Sequence, residues 1–339
     1  MAGMRTRPMP PTGPRRLAFL GATVALFWAS PGVALAHSGP PPTPETLWRS
    51  WSWEPTILLG LTVTAGLYAA GTRALWSRRG IGYGVSPWRV ATFGGGLVAL
   101  FVALVSPLDA LGSALFGGHM VQHLFLTIVA APLLALGAPK LPLLVALPRP
   151  WRREVARTGR RVARVWRLLS RPVAVWGLHA GTLWLWHQPI AYEAALASEP
   201  VHFLQHASFL GTALLFWWVL VHPLQRKRLH PGLAVLFLFT TTLQGTWLAL
   251  LLTFSEAPWY PAYTSTVAPW GVTPMQDQHL GGVLMWIPMG IVYVLSAVTL
   301  FALWLTEIER NARAQQGGRE SLHASVPVDH QAGSAASLD

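Results

Sequence analysis

The sequence contains no cysteine. That excludes disulfides and thiolate ligation, so a metal bound here must use imidazole, thioether, carboxylate or carbonyl donors. Charge is scarce as well: Asp, Glu, Lys and Arg make up 11% of 339 residues, against about 25% in an ordinary soluble domain. Acidic side chains are the rarest, with 13 against 25 Lys and Arg and a formal net charge of +12. A nucleophile–base arrangement, a phosphate loop and an ATP motif are all missing, so nothing in the sequence points to an enzyme.

What the chain has instead is apolar length. Hydrophobic residues reach 52% and fall in runs of about 18 or more between short polar breaks, the pattern of membrane-spanning helices rather than of buried core. The expected fold is all-α, a single polytopic bundle with seven spans at 56–75, 88–107, 119–138, 172–188, 202–221, 231–253 and 281–305. Ahead of them, Arg5, Arg7, Arg15 and Arg16 precede an apolar stretch from Leu17, and Ala34-Leu35-Ala36 fits a small-residue cleavage site. Residues 1–36 therefore read as a signal peptide, with an uncleaved anchor as the alternative. Residues 37–55 read as an extracytoplasmic segment and 306–339, rich in Gln, Gly, Ser and Ala, as an irregular cytoplasmic tail.

A strongly basic chain can bind nucleic acid, but here the charge lies in alternate breaks. Arg73, Arg78, Arg79 and Arg89 occupy one, ten basic residues from Lys140 to Arg171 the next, and Arg226, Lys227 and Arg228 the third; Arg310, Arg313 and Arg319 follow the last span. Arg49 is the exception. The other breaks carry Asp109, Glu193, Glu199, Glu256 and Asp277. This is the positive-inside pattern of a plasma-membrane protein with a cytoplasmic C-terminus, and it argues against nucleic acid. Arginines alternating with Val, Trp and Leu over 149–171 suit a surface helix on anionic lipid headgroups. Trp48, Trp51, Trp53, Trp76, Trp88, Trp259 and Trp270, near span ends, suit interfacial anchoring.

On this topology the histidines collect at the outer boundary. His119 and His123 open the third span, His187 closes the fourth, His202 and His206 open the fifth and His279 precedes the seventh. His37 would be the mature N-terminus, where its amine and imidazole could chelate copper together. Two pairs share the spacing HxxxH, HMVQH at 119–123 and HFLQH at 202–206. Positions i and i+4 lie on one helix face about 6 Å apart, so both imidazoles of a pair can converge on one ion. No Glu follows the first histidine of either pair, which excludes a zincin protease. If the two helices are neighbours, four imidazoles meet, with Gln122 and Gln205 beside them. Met120, Met275, Met285 and Met289 would add sulfur suited to Cu(I), although a methionine in a span more often serves packing. Asp277 either orients a histidine, ligates metal, or is simply an acidic residue at a helix N-terminus. Gly281-Gly282 would let helices approach closely.

The stretches SPLDALGSALFGGHMVQHLFL (106–126), APLLALGAP (131–139), WLWHQP (184–189), HFLQH (202–206) and DQHLGGVLMW (277–286) together resemble the CtaG-type cytochrome c oxidase assembly family. The resemblance implies seven spans and a role in maturing haem-copper oxidases, with copper delivery to the CuB centre of subunit I and an extracytoplasmic copper chaperone as a further partner. Carried over, it marks Asp109, His119, His123, His187, His202, His206, Asp277 and Gln278. Two other readings stand beside it. One is a haem-binding cytochrome with an axial histidine from each pair. The other is a transporter using His179, Thr240, Thr241, Thr242 and Gln244, for which few polar residues cross the core.

Overall fold

In a computed structural model, residues 40–221 and 231–324 are described. The signal region, His37 and the break bearing Arg226 to Arg228 lie outside them. Among the described residues the regular structure is helical, with no strand. In chain order the helices are α1 (Pro55–Arg79), α2 (Pro87–Leu104), α3 (Pro107–Ala114), α4 (Phe116–Leu136), α5 (Lys140–Ala146), α6 (Arg149–Leu169), α7 (Pro172–Trp186), α8 (Pro189–Ala197), α9 (Glu199–Val221), α10 (Pro231–Thr253) and α11 (Pro274–Ala324).

Proline sets most of the helix starts. α1, α2, α3, α7 and α8 each open on one, preceded by a residue with extended ψ. A proline at the first position gives up an N–H that would have no helical partner anyway, and its ring forces the residue before it out of helical conformation. The same rule shortens two predicted spans. The second stops at Leu104 because Ser106 is turned out ahead of Pro107, and the fourth stops at Trp186 because Gln188 is turned out ahead of Pro189.

Six helices are long and apolar enough to cross a membrane: α1, α2, α4, α9, α10 and the first 37 residues of α11. The protein is thus a multi-pass membrane protein. The fourth predicted span is α7, whose 15 residues extend about 22 Å at the α-helical rise, short of the roughly 30 Å of a bilayer's hydrocarbon core. At the other end of the chain, α11 does not stop near 305 but continues to Ala324. Glu, Arg, Gln and Ala dominate 307–316, and these are good helix formers; Glu309 also accepts from Arg313 one turn on, at 3.5 Å.

α4 is the central helix, with more of its length buried than any other spanning helix. Its middle, Phe125–Ala130, is a π-helical turn. Pro132 has no N–H for the Ile128 carbonyl four residues back, which disfavours a regular α-turn at this point. One side of α4 packs with α1 and α2 around Tyr68, Phe93, Ala103 and Leu126; the other packs with α7, α9, α10 and α11 around Val175, Phe216, Trp217 and Tyr293. α6 carries no buried residue, as its alternating arginines predict for a surface helix.

The glycine pair on α11 fits the expectation of close approach. A Cβ on Gly281 would overlap the Phe116 ring of α4, and one on Gly282 would press on the Thr253 hydroxyl and the Ala249 carbonyl of α10. Gly290, one helix face away, has open space. Gly281→Val is therefore expected to cost on the order of 1–3 kcal/mol through overpacking and to lower the thermal unfolding temperature in detergent, while Gly290→Ala leaves it unchanged or slightly raised.

Candidate metal centre

α4, α9 and α11 all begin at the end of the bundle where α7 finishes, and this end collects the histidines. α4 and α9 are direct neighbours running the same way, so the two HxxxH pairs face each other. His202 and His206 lie with ring centroids 4.1 Å apart, and His119 stands 5.5 and 5.9 Å from them. His123 meets His119 edge to face at 4.3 Å and His206 at 5.3 Å, and His187 of the α7–α8 turn lies 6.5 Å from His123. Five of the expected ligands thus share one cluster.

Within it, His119, His202 and His206 present ring nitrogens that all lie within 4.8 Å of one another. Two nitrogens on one tetrahedral ion at about 2.05 Å stand roughly 3.3 Å apart. Small side-chain movements would therefore let the three bind a single ion. The donor set is neutral and of the kind copper and zinc take. His119 is 1% exposed, and a buried imidazole ordinarily finds polar partners. Yet both ring nitrogens of His123 and the Nε2 of His187 have no hydrogen-bond partner among the described residues. The Nδ1 of His187 lies 2.7 Å from the Leu183 carbonyl. As a carbonyl can only accept, the proton sits on Nδ1 and the Nε2 lone pair is left for a ligand.

The remaining expected ligands have other work. Asp277 Oδ2 and Oδ1 accept the backbone N–H groups of Phe116 at 2.6 Å and Gly117 at 3.0 Å. It thus holds the first turn of α4 from across the helix interface. Asp109 accepts the Ser52 hydroxyl at 2.5 Å and the Gln122 amide at 2.6 Å. Gln122 donates in addition to the Ala103 carbonyl at 2.8 Å, so it braces α2, α3 and α4 rather than a histidine. His279 turns out of the cluster to the Ser255 carbonyl at 3.2 Å. Gln278 accepts the Trp259 N–H at 2.6 Å, tying α11 to the loop above.

Two openings lead to the cluster. A vestibule of about 390 Å³ at the histidine end is bounded by Pro40 to Pro42, Trp51, Ser113 and Glu199 and has His119 and His202 in its wall. A side opening of about 210 Å³ runs between α1 and α9, past Glu54, Ile57 and Phe203, to His202 and His206.

Comparison with known proteins agrees with the motifs. Residues 66–307 match the family model described as cytochrome c oxidase caa3 assembly factor (Caa3_CtaG). The chain belongs to the cytochrome c oxidase caa3 assembly factor family. Its curated relatives include an uncharacterised protein of Mycobacterium bovis, 28% identical over 291 residues, and one of Mycobacterium leprae, 26% identical over 293 residues. These alignments cover 84% and 82% of this chain but 43% and 42% of the relatives, so the chain spans less than half the length of the relatives it matches. No solved structure matches.

The chain also has site residues that sequence reasoning passed over. Tyr192 packs 5.1 Å from His119, and its hydroxyl lies 2.9 Å from that of Tyr263, which donates to the Gly112 carbonyl. Tyr260 donates to the backbone carbonyl of His187 at 3.0 Å. Burial holds all three phenols well above their ordinary range, so they remain neutral donors and roof the histidines. The advance signal for Tyr260 and Tyr263 was the WYPAY run at 259–263, which reads equally well as interfacial anchoring, and Tyr192 had none. Removing the α4 tether tests the frame: Asp277→Ala leaves two buried N–H groups without an acceptor, each worth about 1–3 kcal/mol. It is expected to lower the unfolding temperature more than Asp277→Asn, which keeps one acceptor oxygen.

Proposed function

We propose that this chain is a copper-handling assembly factor for a haem-copper cytochrome c oxidase, holding copper as cargo on His119, His202 and His206 and passing it to the CuB centre of subunit I. The convergence of those three imidazoles between two openings carries the reading. Family membership supplies the oxidase, and a neutral imidazole set suits copper. The proposed orientation puts the histidine end outside the plasma membrane and the arginine-rich breaks and C-terminus in the cytoplasm, as the charge asymmetry favours. α7 then crosses as the fourth of seven spans. It starts at Pro172, directly after Arg171 of an arginine-rich break, and ends beside His187 of the cluster, so it traverses the same depth as its neighbours with a shorter helix.

In this reading an extracytoplasmic copper chaperone docks over the vestibule, and the side opening between α1 and α9 faces the oxidase within the bilayer. No turnover is needed. Copper moves by exchange of one imidazole for another, with its oxidation state unchanged.

Metal analysis of the purified protein is the direct test. Wild type is expected to retain copper, and His119→Ala/His202→Ala/His206→Ala to lose more than about a hundredfold in affinity, beyond the loss typical of a supporting partner. In cells lacking the native gene, the triple variant should leave the oxidase with haem but without CuB, read from its copper content and activity. Equal copper in wild type and variant would sink the assignment. A Soret band in copper-free protein would replace it with the haem-binding reading.

A further inference from the structure

One turn below the imidazole cluster, between α4, α7, α9, α10 and α11, lies a separate cavity of about 30 Å³. That exceeds the roughly 10–15 Å³ a single water needs, and it is also room for an ion. His123 and His187 line it together with Met120, Met285 and Met289, the three methionines being 1%, 5% and 8% exposed. We propose that this cavity is a second, softer cation site, taking a monovalent ion such as Cu(I) on the imidazoles of His123 and His187 and the thioethers of these methionines.

Packing alone accounts for a methionine in a span, but not for this combination. Three methionines from two helices line one cavity with His123 and His187, and the His187 Nε2 and both His123 ring nitrogens have no hydrogen-bond partner among the described residues. The Leu183 carbonyl on the His187 Nδ1 fixes the tautomer that leaves Nε2 to face an ion. No carboxylate lines the cavity. Desolvation cost rises with the square of the charge, so a neutral donor set in a buried cavity favours a monovalent over a divalent ion. Thioether sulfur selects Cu(I) among biological metals.

The proposal rests on the three-imidazole cluster being the first stop for the same ion. The His119 and His123 rings touch edge to face at 4.3 Å, so the two compartments share a border. Transfer breaks a Cu–N bond to His119 as one to His123 forms. No electron moves, and the imidazoles remain neutral.

The test is an anaerobic titration of the full chain in detergent with Cu(I), and with Ag(I) as a redox-inert probe. Bound ion is counted after desalting, and sulfur ligation is read by X-ray absorption. Wild type is expected to take up a second equivalent with a metal–sulfur signal. Met120→Leu/Met285→Leu/Met289→Leu, close to volume-conserving, should lose both while unfolding at the wild-type temperature. His202→Ala/His206→Ala should keep the sulfur-bound ion and lose the other. If wild type holds one ion with nitrogen ligation only, or the methionine variant binds like wild type, the second site is overturned while the copper-handling reading survives. If the histidine variant binds like wild type, it is the three-imidazole reading that fails.

Discussion

The carboxylate of Asp277 on the Phe116 and Gly117 amides is the contact on which the histidine end depends. A helix leaves its first N–H groups without partners, and α4 begins in the interior, where Phe116 is 1% exposed. An uncapped start there would be costly. Asp277 meets the need from another helix, so capping α4 and seating α11 are one event. Gly281 makes it geometrically possible, because α11 passes so close to Phe116 that no side chain fits between. With the first turn of α4 pinned, His119 and His123 have a fixed depth and direction, and α9 can bring His202 and His206 to meet them.

Polar bracing of this kind recurs around the cluster. Asp109 joins Ser52 ahead of α1 to Gln122 on α4, and Tyr260 and Tyr263 tie the loop before α11 to the His187 and Gly112 carbonyls. Each contact satisfies a group that would otherwise be buried without a partner. Each also joins elements far apart in sequence. Much of this frame is built without the imidazoles, and both ring nitrogens of His123 and the Nε2 of His187 stay without a hydrogen-bond partner among the described residues.

Much of this was legible in advance, and the reasons are physical. The i, i+4 spacing and the alternation of arginine-rich breaks place both histidine pairs at one depth on helices running the same way, whereas the adjacency of α4 and α9, left open by the sequence, comes from the packing. The roles of the acidic residues were not legible. Asp277 does serve a helix N-terminus, but that of α4, 160 residues back in the chain, and no local pattern reveals a cap supplied across an interface. His279 follows Asp277 and Gln278 directly, yet successive positions on a helix point about 100° apart, and its ring reaches Ser255 instead. The short α7 was readable from Pro189. The extension of α11 to Ala324 was obscured because overall composition suggested irregular chain, while the Glu, Arg, Gln and Ala of 307–316 favour helix residue by residue.

The engagement of Asp277 with the α4 backbone and of Asp109 with the Ser52 and Gln122 side chains has a chemical consequence for the proposed cargo. An acidic ligand would neutralise the ion and, in a medium of low dielectric constant, bind it strongly. Neutral imidazoles and thioethers leave the ion's charge uncompensated, so each bond is made against a desolvation cost. Affinity from such a set is tunable by the number of ligands rather than by charge. A donor set that holds an ion without trapping it is what a carrier needs, since release requires only that a partner offer one more ligand. The scarcity of acidic residues that marks the whole chain thus has a local counterpart: Asp109 and Asp277 are engaged in bracing helices, and the three converging donors are neutral groups that can let the ion go.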